Sequence, residues 1–237
     1  MKTFSRFLAK GWLWVGLACA GAVMAGEERG FRGLASSPSL TVALDAHGRV
    51  MTSAEGSQWA PGDAGTVFSL YAIAFGNGLF VAVGNEGAIL TSPDGVHWTQ
   101  RASDTDDRLR GIAWGAGRFV AVGHGGVIVT SRDGKRWRQE ESPTSQRLQG
   151  VAFGSSGFVA VGNHGQILTS STGATWKTRA SGTQEDLRAV TYRNGGFEVR
   201  GLDGTRLASI EGTNWDVQTE NRSLELSRVP FAVEAKK

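Results

Sequence analysis

The sequence is poor in several residues that usually constrain a fold. Its 237 residues include one cysteine, five prolines and two tyrosines. A single cysteine excludes a disulfide framework within the chain, and so few prolines exclude the compositions of collagen and of many disordered segments. Glycine is abundant instead, with 34 residues, about twice its average usage. Because 40% of the residues are hydrophobic, we expect one substantial core interrupted by many tight turns.

Long hydrophobic runs are also lacking, and the longest lies near the N-terminus. Residues 11–25 are mostly apolar, but about 15 residues are fewer than the roughly 20 that a membrane-spanning helix needs. They follow the basic residues Lys2, Arg6 and Lys10 and end in small residues before a polar stretch. This pattern predicts a cleaved signal peptide over residues 1–25, followed by a short N-terminal segment, 26–30. An uncleaved anchor is the alternative.

Cleavage after Ala25 has consequences for chemistry and location. It removes Cys19, so the mature protein has neither disulfides nor thiol chemistry. A lipoprotein site at Cys19 is disfavoured because Gly16, three positions earlier, is not the aliphatic residue such a site requires. We therefore expect a protein exported across the inner membrane, into a periplasm or a lumen, with no membrane span after cleavage.

The charge balance argues against a nucleic-acid partner. Lysine and arginine total 25 against 22 aspartate and glutamate residues. Three of the basic residues lie in the first ten positions, so the remaining 22 equal the acidic residues in number. A neutral mature chain lacks the basic excess that binds phosphate backbones.

A repeat of 39 residues dominates the sequence. Columns of tryptophan, glycine and serine keep this spacing without an insertion or deletion. The tryptophan column contains Trp59, Trp98, Trp137, Trp176 and Trp215. The repeats begin at Phe31, Leu70, Leu109, Leu148 and Leu187. Fixed spacing of this length is the signature of a repeat architecture.

Each repeat predicts four short strands. In the third copy they are residues 109–114, 118–122, 127–131 and 136–140, separated by glycine-rich turns. The middle strands are apolar on both faces, which indicates a sheet covered on both sides, and the polar fourth strand is typical of an outer edge.

Four-stranded units of about 40 residues are typical of a β-propeller. A β-solenoid is disfavoured, because its coils are usually shorter and lack a polar fourth strand. We therefore predict an all-β chain with a propeller of five four-stranded blades over residues 31–223. Residues 224–237 form a C-terminal tail and could supply a closing strand.

The sequence leaves three possibilities for how repeat five meets repeat one. Repeats two to four carry valines at two same-face positions of the second strand, but repeat five has Glu198 and Arg200 there. Burying two charges is costly unless they pair. Either these side chains pair with each other, or the tail covers the seam, or the seam is open to a partner.

The clearest motif lies between the third and fourth strands. It reads TSPDGVHW at 91–98 and TSRDGKRW at 130–137, and it is weaker in the other repeats. The aspartate can accept backbone N–H groups of its own turn, the glycine supplies a positive φ, and the tryptophan packs beneath. We therefore interpret this aspartate as structural.

This motif resembles the Asp-box of bacterial neuraminidases, although it is one residue shorter between aspartate and glycine. The whole repeat, with GFVAVG at 157–162 and ILTS at 167–170, is similar to the photosystem II stability/assembly factor family over residues 31–223. That resemblance implies a non-catalytic propeller that binds a protein. The family is usually seven-bladed, so five repeats depart from its pattern.

A hydrolase is disfavoured by what the inner strands lack. Similar repeats in sialidases accompany an arginine cluster, a tyrosine nucleophile with a glutamate partner, and an aspartate acid. Here the predicted inner strands contain no carboxylate, and propeller glycosidases need a pair of them. We predict no enzyme activity, no catalytic residues and no cofactor.

No metal site is expected either. His47, His97, His124 and His164 lie in turns of different blades, without the spacing that brings zinc ligands together. We expect all four to be solvated turn residues.

One column has unusual chemistry for its position. The second residue of each inner strand would form a ring around one end of the channel, and Arg108 and Arg147 precede two of these strands. The column contains Arg32, Tyr71, Arg110, Gln149 and Arg188. They are either ordinary strand-end residues exposed to water or a surface that binds anions or carboxylates. The resembled family is similar in carrying arginines on its binding face.

Two function hypotheses follow. The first is an exported, non-catalytic propeller that binds a protein partner, as an assembly factor or accessory subunit of an envelope or membrane complex. The alternative is a sialidase-like or other carbohydrate-active or sugar-binding propeller.

Overall fold

The computed structural model describes residues 30–218, which form five antiparallel sheets of four strands each. Blade 1 contains β1 (Gly33–Ser36), β2 (Thr41–Leu44), β3 (Val50–Ser53) and β4 (Ala60–Pro61). Blade 2 contains β5 (Leu70–Gly76), β6 (Leu79–Gly84), β7 (Ile89–Ser92) and β8 (Thr99–Arg101). Blade 3 contains β9 (Leu109–Gly115), β10 (Arg118–Gly123), β11 (Ile128–Ser131) and β12 (Arg138–Gln139).

The last two blades repeat this pattern. Blade 4 contains β13 (Leu148–Gly154), β14 (Gly157–Gly162), β15 (Ile167–Ser170) and β16 (Lys177–Arg179). Blade 5 contains β17 (Leu187–Arg193), β18 (Gly196–Gly201), β19 (Arg206–Ser209) and β20 (Asp216–Gln218). Short 3₁₀ turns lie at His124–Gly126 and Leu202–Gly204. Within residues 30–218, no helix has the length and apolarity to cross a membrane.

Every blade is a meander in which each strand pairs with the next along the chain. The first strands of successive blades pack on one another, β1 on β5, β5 on β9, β9 on β13 and β13 on β17, so they form the inner layer. The fourth strands, such as β8 and β12, are largely exposed at the outer edge. The predicted all-β propeller and its five blades are confirmed.

Hydrophobic cores lie between blades. In β6, Val81 and Val83 face blade 3, whereas Phe80 and Ala82 face blade 1. Both faces of the middle strands are therefore buried, as their uninterrupted apolar sequence predicts. Phenylalanines at one repeat position anchor four of the blades and are each at most 1% exposed; they are Phe80, Phe119, Phe158 and Phe197.

In blades 2 and 3 the Asp–Gly turn packs on the preceding blade. Asp94 Oδ1 accepts the backbone N–H groups of Val96 and His97 at 2.9 and 2.8 Å. Trp98 Nε1 donates to the carbonyl of Gly95 at 3.0 Å. Gly95 has φ +72°, and a Cβ there would lie 2.8 Å from Leu40 Cδ2 of blade 1. Glycine is needed for both reasons, and the structural interpretation of the motif agrees with this geometry.

Blade 5 lacks the apolar face that the other blades present to their successors. Blade 4 uses Ala152, Val159, Val161 and Ile167, and the matching positions of blade 5 are Thr191, Glu198, Arg200 and Arg206. Arg200 and Arg206 are directly opposite in the β18–β19 register. Four clusters of buried hydrophobic residues join successive blades, and none in the described range joins blade 5 to blade 1.

Blade 1 still carries apolar side chains on its side of this seam. Phe31 packs on Trp59 with ring centroids 4.7 Å apart, and both are half-buried. The predicted signal peptide, residues 1–25, and the predicted tail, 224–237, lie outside the described residues, so both remain predictions.

Candidate functional site

The column identified in the sequence converges on one cavity at the axis. Its volume is about 230 Å³, and all five inner strands line it. Every member of the column contributes to the lining: Arg32, Tyr71, Arg110, Gln149 and Arg188. No acidic residue of the described part of the chain lines this cavity.

A β-bulge explains why these side chains point inward. In blade 2, Leu70 pairs with Gly84 and Ala72 with Val83, so Tyr71 is an extra residue without a partner in the register. The inner strands of blades 3, 4 and 5 are interrupted at the same repeat position. A bulge bends the strand and redirects the extra side chain. The fold thus turns one position of each of these repeats toward the axis.

Tyr71 lies at the centre of a cationic cluster. The guanidinium carbons of Arg32, Arg108 and Arg110 are 5.4, 5.5 and 5.2 Å from its ring centroid. These distances are within the range of cation–π attraction, which offsets part of the repulsion among the arginines. The Tyr71 hydroxyl donates to Asn85 Oδ1 at 2.8 Å, which fixes the ring.

A hydrogen-bonded chain orients the opposite side of the cavity. Arg110 Nε donates to Gln149 Oε1 at 3.1 Å, and Gln149 Nε2 donates to Asn163 Oδ1 at 2.8 Å. Gln149 is only 8% exposed. Arg110 is therefore held at one nitrogen by a neutral partner, and its charge is left uncompensated by this contact.

The local field is positive. The pKa of Arg110 is lowered, first by burial and then by the positive charges of Arg108 and Arg147, with a smaller effect of Arg188. A group whose charged form is disfavoured by neighbours of like sign gains stability when an anion approaches. The cavity can therefore bind a carboxylate or another small anionic group.

His124 corrects the expectation that all four histidines are solvated. His47 and His97 are 79% and 85% exposed at their side chains, and His164 is exposed as well. His124 is only partly exposed, and its Nε2 is buried without a hydrogen-bond partner among residues 30–218. Burial lowers its pKa, and the charges of Arg147 and Arg108 lower it further. A neutral imidazole thus lies beside the cationic cluster.

A second column of residues borders the first and was not predicted from the sequence. Asn85, His124 and Asn163 share one repeat position, directly after the glycine that ends the second strand. Their spacing of 39 residues was visible in the sequence. What was not visible is that this turn reaches the first column, because the bulge is a feature of the register.

Within the described residues there is no cluster suited to a metal, and the axial cavity has no pair of carboxylates. No cluster of three histidine, cysteine, aspartate or glutamate side chains that could hold a metal exists within residues 30–218. The column residues supply guanidinium, phenol and amide groups, which recognise anions but do not form the two-carboxylate arrangement of a glycosidase.

Comparison with known proteins gives the fold its relatives. No family model matches the sequence, and no curated protein matches it. A structure of YCF48 bound to a D1 peptide has a TM-score of 0.59 at 21% identity, over 84% of this chain and 68% of that chain. YCF48 from Cyanidioschyzon merolae has a TM-score of 0.62 at 16% identity, over 80% of this chain and 72% of that chain.

An enzyme shares the fold as well. An ancestral GH74 enzyme has a TM-score of 0.55 at 16% identity, over 79% of this chain and 31% of that chain. The resemblance to photosystem II assembly factors that the sequence motifs predicted is confirmed at the level of the fold. Identities of 21% or less carry no function with them.

Proposed function

We propose that this chain is an exported, non-catalytic propeller that binds a protein partner through the arginine end of its channel. It would act as an assembly factor or accessory subunit of an envelope or membrane complex. The observation that carries the proposal is the convergence of Arg32, Arg110 and Arg188 with Tyr71 on a cavity without a lining carboxylate. The YCF48 structure with a bound D1 peptide supports peptide binding as a use of this fold.

The cavity favours a partner segment with an anionic group. Below the arginines the lining is apolar, and it includes Leu34, Ile73 and Ile112. A carboxylate beside an apolar side chain matches both regions, since arginine recognises carboxylates through its planar donors. A neutral sugar offers hydroxyl groups and no such charge. An acidic sugar carries a carboxylate but no apolar side chain to match Leu34, Ile73 and Ile112, so we favour the peptide over a carbohydrate ligand.

A pull-down with a matched variant tests this function. Tagged protein serves as bait in solubilised native envelope, beside the variant R32A/R110A/R188A and the control R179Q on the outer strand β16. We expect a specific partner with wild type and R179Q, weaker capture as salt rises, and loss of the partner with the triple variant. A folded triple variant that captures the same partner equally well would refute the role of these arginines.

The alternative has a distinct outcome. Binding of neutral oligosaccharides at the channel, unaffected by salt and by the triple variant, or binding of a sialylated oligosaccharide that the triple variant loses, would support a carbohydrate-binding propeller instead.

A further inference from the structure

A second cationic cavity lies far from the axis, on blade 3. Its volume is about 330 Å³, and Arg118, Arg132, Arg136 and Arg138 line it with Asp133 and Trp137. Arg118 begins β10 and pairs with Gly115 at the end of β9, whereas Arg110 lies at the start of β9. The seven residues of β9 span about 20 Å. The two cavities therefore lie at opposite ends of the blade.

Arg118 is buried without full compensation. The residue is 8% exposed, and its Nε is inaccessible to solvent and has no hydrogen-bond partner among the described residues. Its nearest carboxylate is Glu140, with Nη1 3.7 Å from Oε1. Burial lowers the pKa of Arg118, and the charge of Arg132 lowers it further. Unpaired donors on a buried guanidinium are costly.

The nearby carboxylates are already engaged by other groups. Glu140 Oε1 accepts Thr130 Oγ1 at 2.7 Å and Arg138 Nε at 2.9 Å. Asp133 Oδ1 accepts the backbone N–H groups of Lys135 and Arg136, both at 2.9 Å. Arg138 pairs with Glu140 at 2.9 Å and Arg136 with Asp133 at 3.4 Å, so the four arginines and two carboxylates leave an excess of two positive charges, on Arg118 and Arg132.

The other repeats show that the fold does not require this arrangement. Leu79 and Gly157 occupy the repeat position of Arg118, and Arg101 and Arg179 occupy that of Glu140. The Nε atoms of Arg101 and Arg179 donate to threonines of their own blades at 3.0 and 2.9 Å. Blade 3 thus departs at two positions at once and gains a buried arginine that neighbouring blades do without.

We propose that this cavity binds a tetrahedral oxyanion with two negative charges, a phosphate group, with Arg118 as its innermost donor. Arg132, whose guanidinium makes no hydrogen bond or ion pair within the described part of the chain, supplies a second donor at the mouth. Planar guanidinium groups match phosphate oxygens in pairs, and the excess of two charges balances the ligand. This site is independent of the proposed function at the axis.

Titration calorimetry tests the proposal with two probes at constant ionic strength, inorganic phosphate and glucose 6-phosphate, and with glucose as the uncharged control. The variants are R118L, which installs the residue of blade 2, and R132Q, which changes only an exposed side chain. The control R179Q removes one positive charge from blade 4. We expect phosphate binding by wild type and R179Q, and an affinity lowered about tenfold or more in R118L and R132Q.

The outcomes separate the source of the phosphate from the existence of the site. Tighter binding of inorganic phosphate supports a site for the free ion, and tighter binding of glucose 6-phosphate supports a phosphate carried by a larger molecule. Absence of binding of both probes to wild type overturns the proposal. Equal binding by R132Q and wild type does so too, even if R118L fails to fold.

Discussion

At the scale of single residues, one position per repeat decides the chemistry of the channel. The bulge redirects Tyr71, Arg110, Gln149 and Arg188 toward the axis whatever their side chains are. The backbone therefore fixes the direction of these side chains, and the residue type fixes the charge. Neighbouring positions can therefore remain apolar and pack in the core. The bulged position can carry cationic side chains, because it does not take part in that packing.

The arginine column should cost stability. Arg110 is partly buried among Arg108, Arg147 and Arg188, all of like charge. We expect R32A/R110A/R188A to unfold at the same temperature as wild type or slightly higher, because mutual repulsion is removed. Thermal unfolding at low and high salt measures this, and the difference should shrink as salt screens the charges. A clear loss of stability at low salt would instead show that these arginines hold the blades together.

The aspartates of the turns should make the free energy of unfolding depend on pH in the acid range. Hydrogen bonding from the His97 side chain and from backbone N–H groups lowers the pKa of Asp94, and the backbone N–H groups of Arg136 and Lys135 lower that of Asp133, from an ordinary 3.8. A depressed folded pKa contributes stability above the unfolded pKa that is lost as pH falls below it.

The variant D94N/D133N tests this dependence. We expect it to be less stable than wild type near neutral pH, and the difference to narrow from about pH 4 to about pH 2. Urea unfolding across this range measures it. A difference that stays constant with pH would assign the stabilisation to uncharged hydrogen bonds.

At the scale of elements, the sequence predicted most of what the structure shows. Strand order, the apolar middle strands and the polar outer strand follow from residue patterns that repeat every 39 positions. The residues that contact the arginine column could not be predicted from these patterns. The bulge depends on the register of β5 with β6, and the lowered pKa of His124 depends on its burial and on the nearby charges of Arg147, Arg108 and Arg110. Such contacts arise only once blades are assembled.

The turns between the third and fourth strands allow a matched test of inter-blade docking. Gly95 and Gly56 have φ of +72° and +74°, but a Cβ would clash only at Gly95, against Leu40 and Val42. We expect G56A to lose about 1–3 kcal/mol through backbone strain alone, and G95A to lose more. Denaturant unfolding of both variants measures the difference. Equal losses would show that the turn does not press on the preceding blade.

At the scale of the whole molecule, the blades differ in how many hydrophobic cores they share, because the described residues form no core between blades 5 and 1. Blades 2, 3 and 4 have hydrophobic clusters on both faces, whereas blades 1 and 5 each take part in one. The sequence predicted that Glu198 and Arg200 lie at this seam. It did not predict whether an apolar core forms there as well. The structure shows that the described residues form none.

Hydrogen exchange should reveal this inequality. Local opening requires less free energy where fewer apolar contacts are lost. We expect the amides of β6, β10 and β14 to be protected most strongly, and those of β2 and β18 to exchange faster at equal pH and temperature. Mass spectrometry of proteolytic fragments resolves these strands. Uniform protection across the five blades would mean that the blades open together.

The polar face of blade 5 limits how copies of the protein can associate. Stacked repeats present the same surface at one end that they accept at the other, so copies can add head to tail into filaments. Repeat arrays avoid this with terminal capping repeats whose outer face is polar. Thr191, Glu198, Arg200 and Arg206 give blade 5 such a face, where blade 4 has hydrophobic residues that bind its successor. Within residues 30–218, blade 5 therefore offers no apolar surface on which the half-buried Phe31 and Trp59 of another copy could stack.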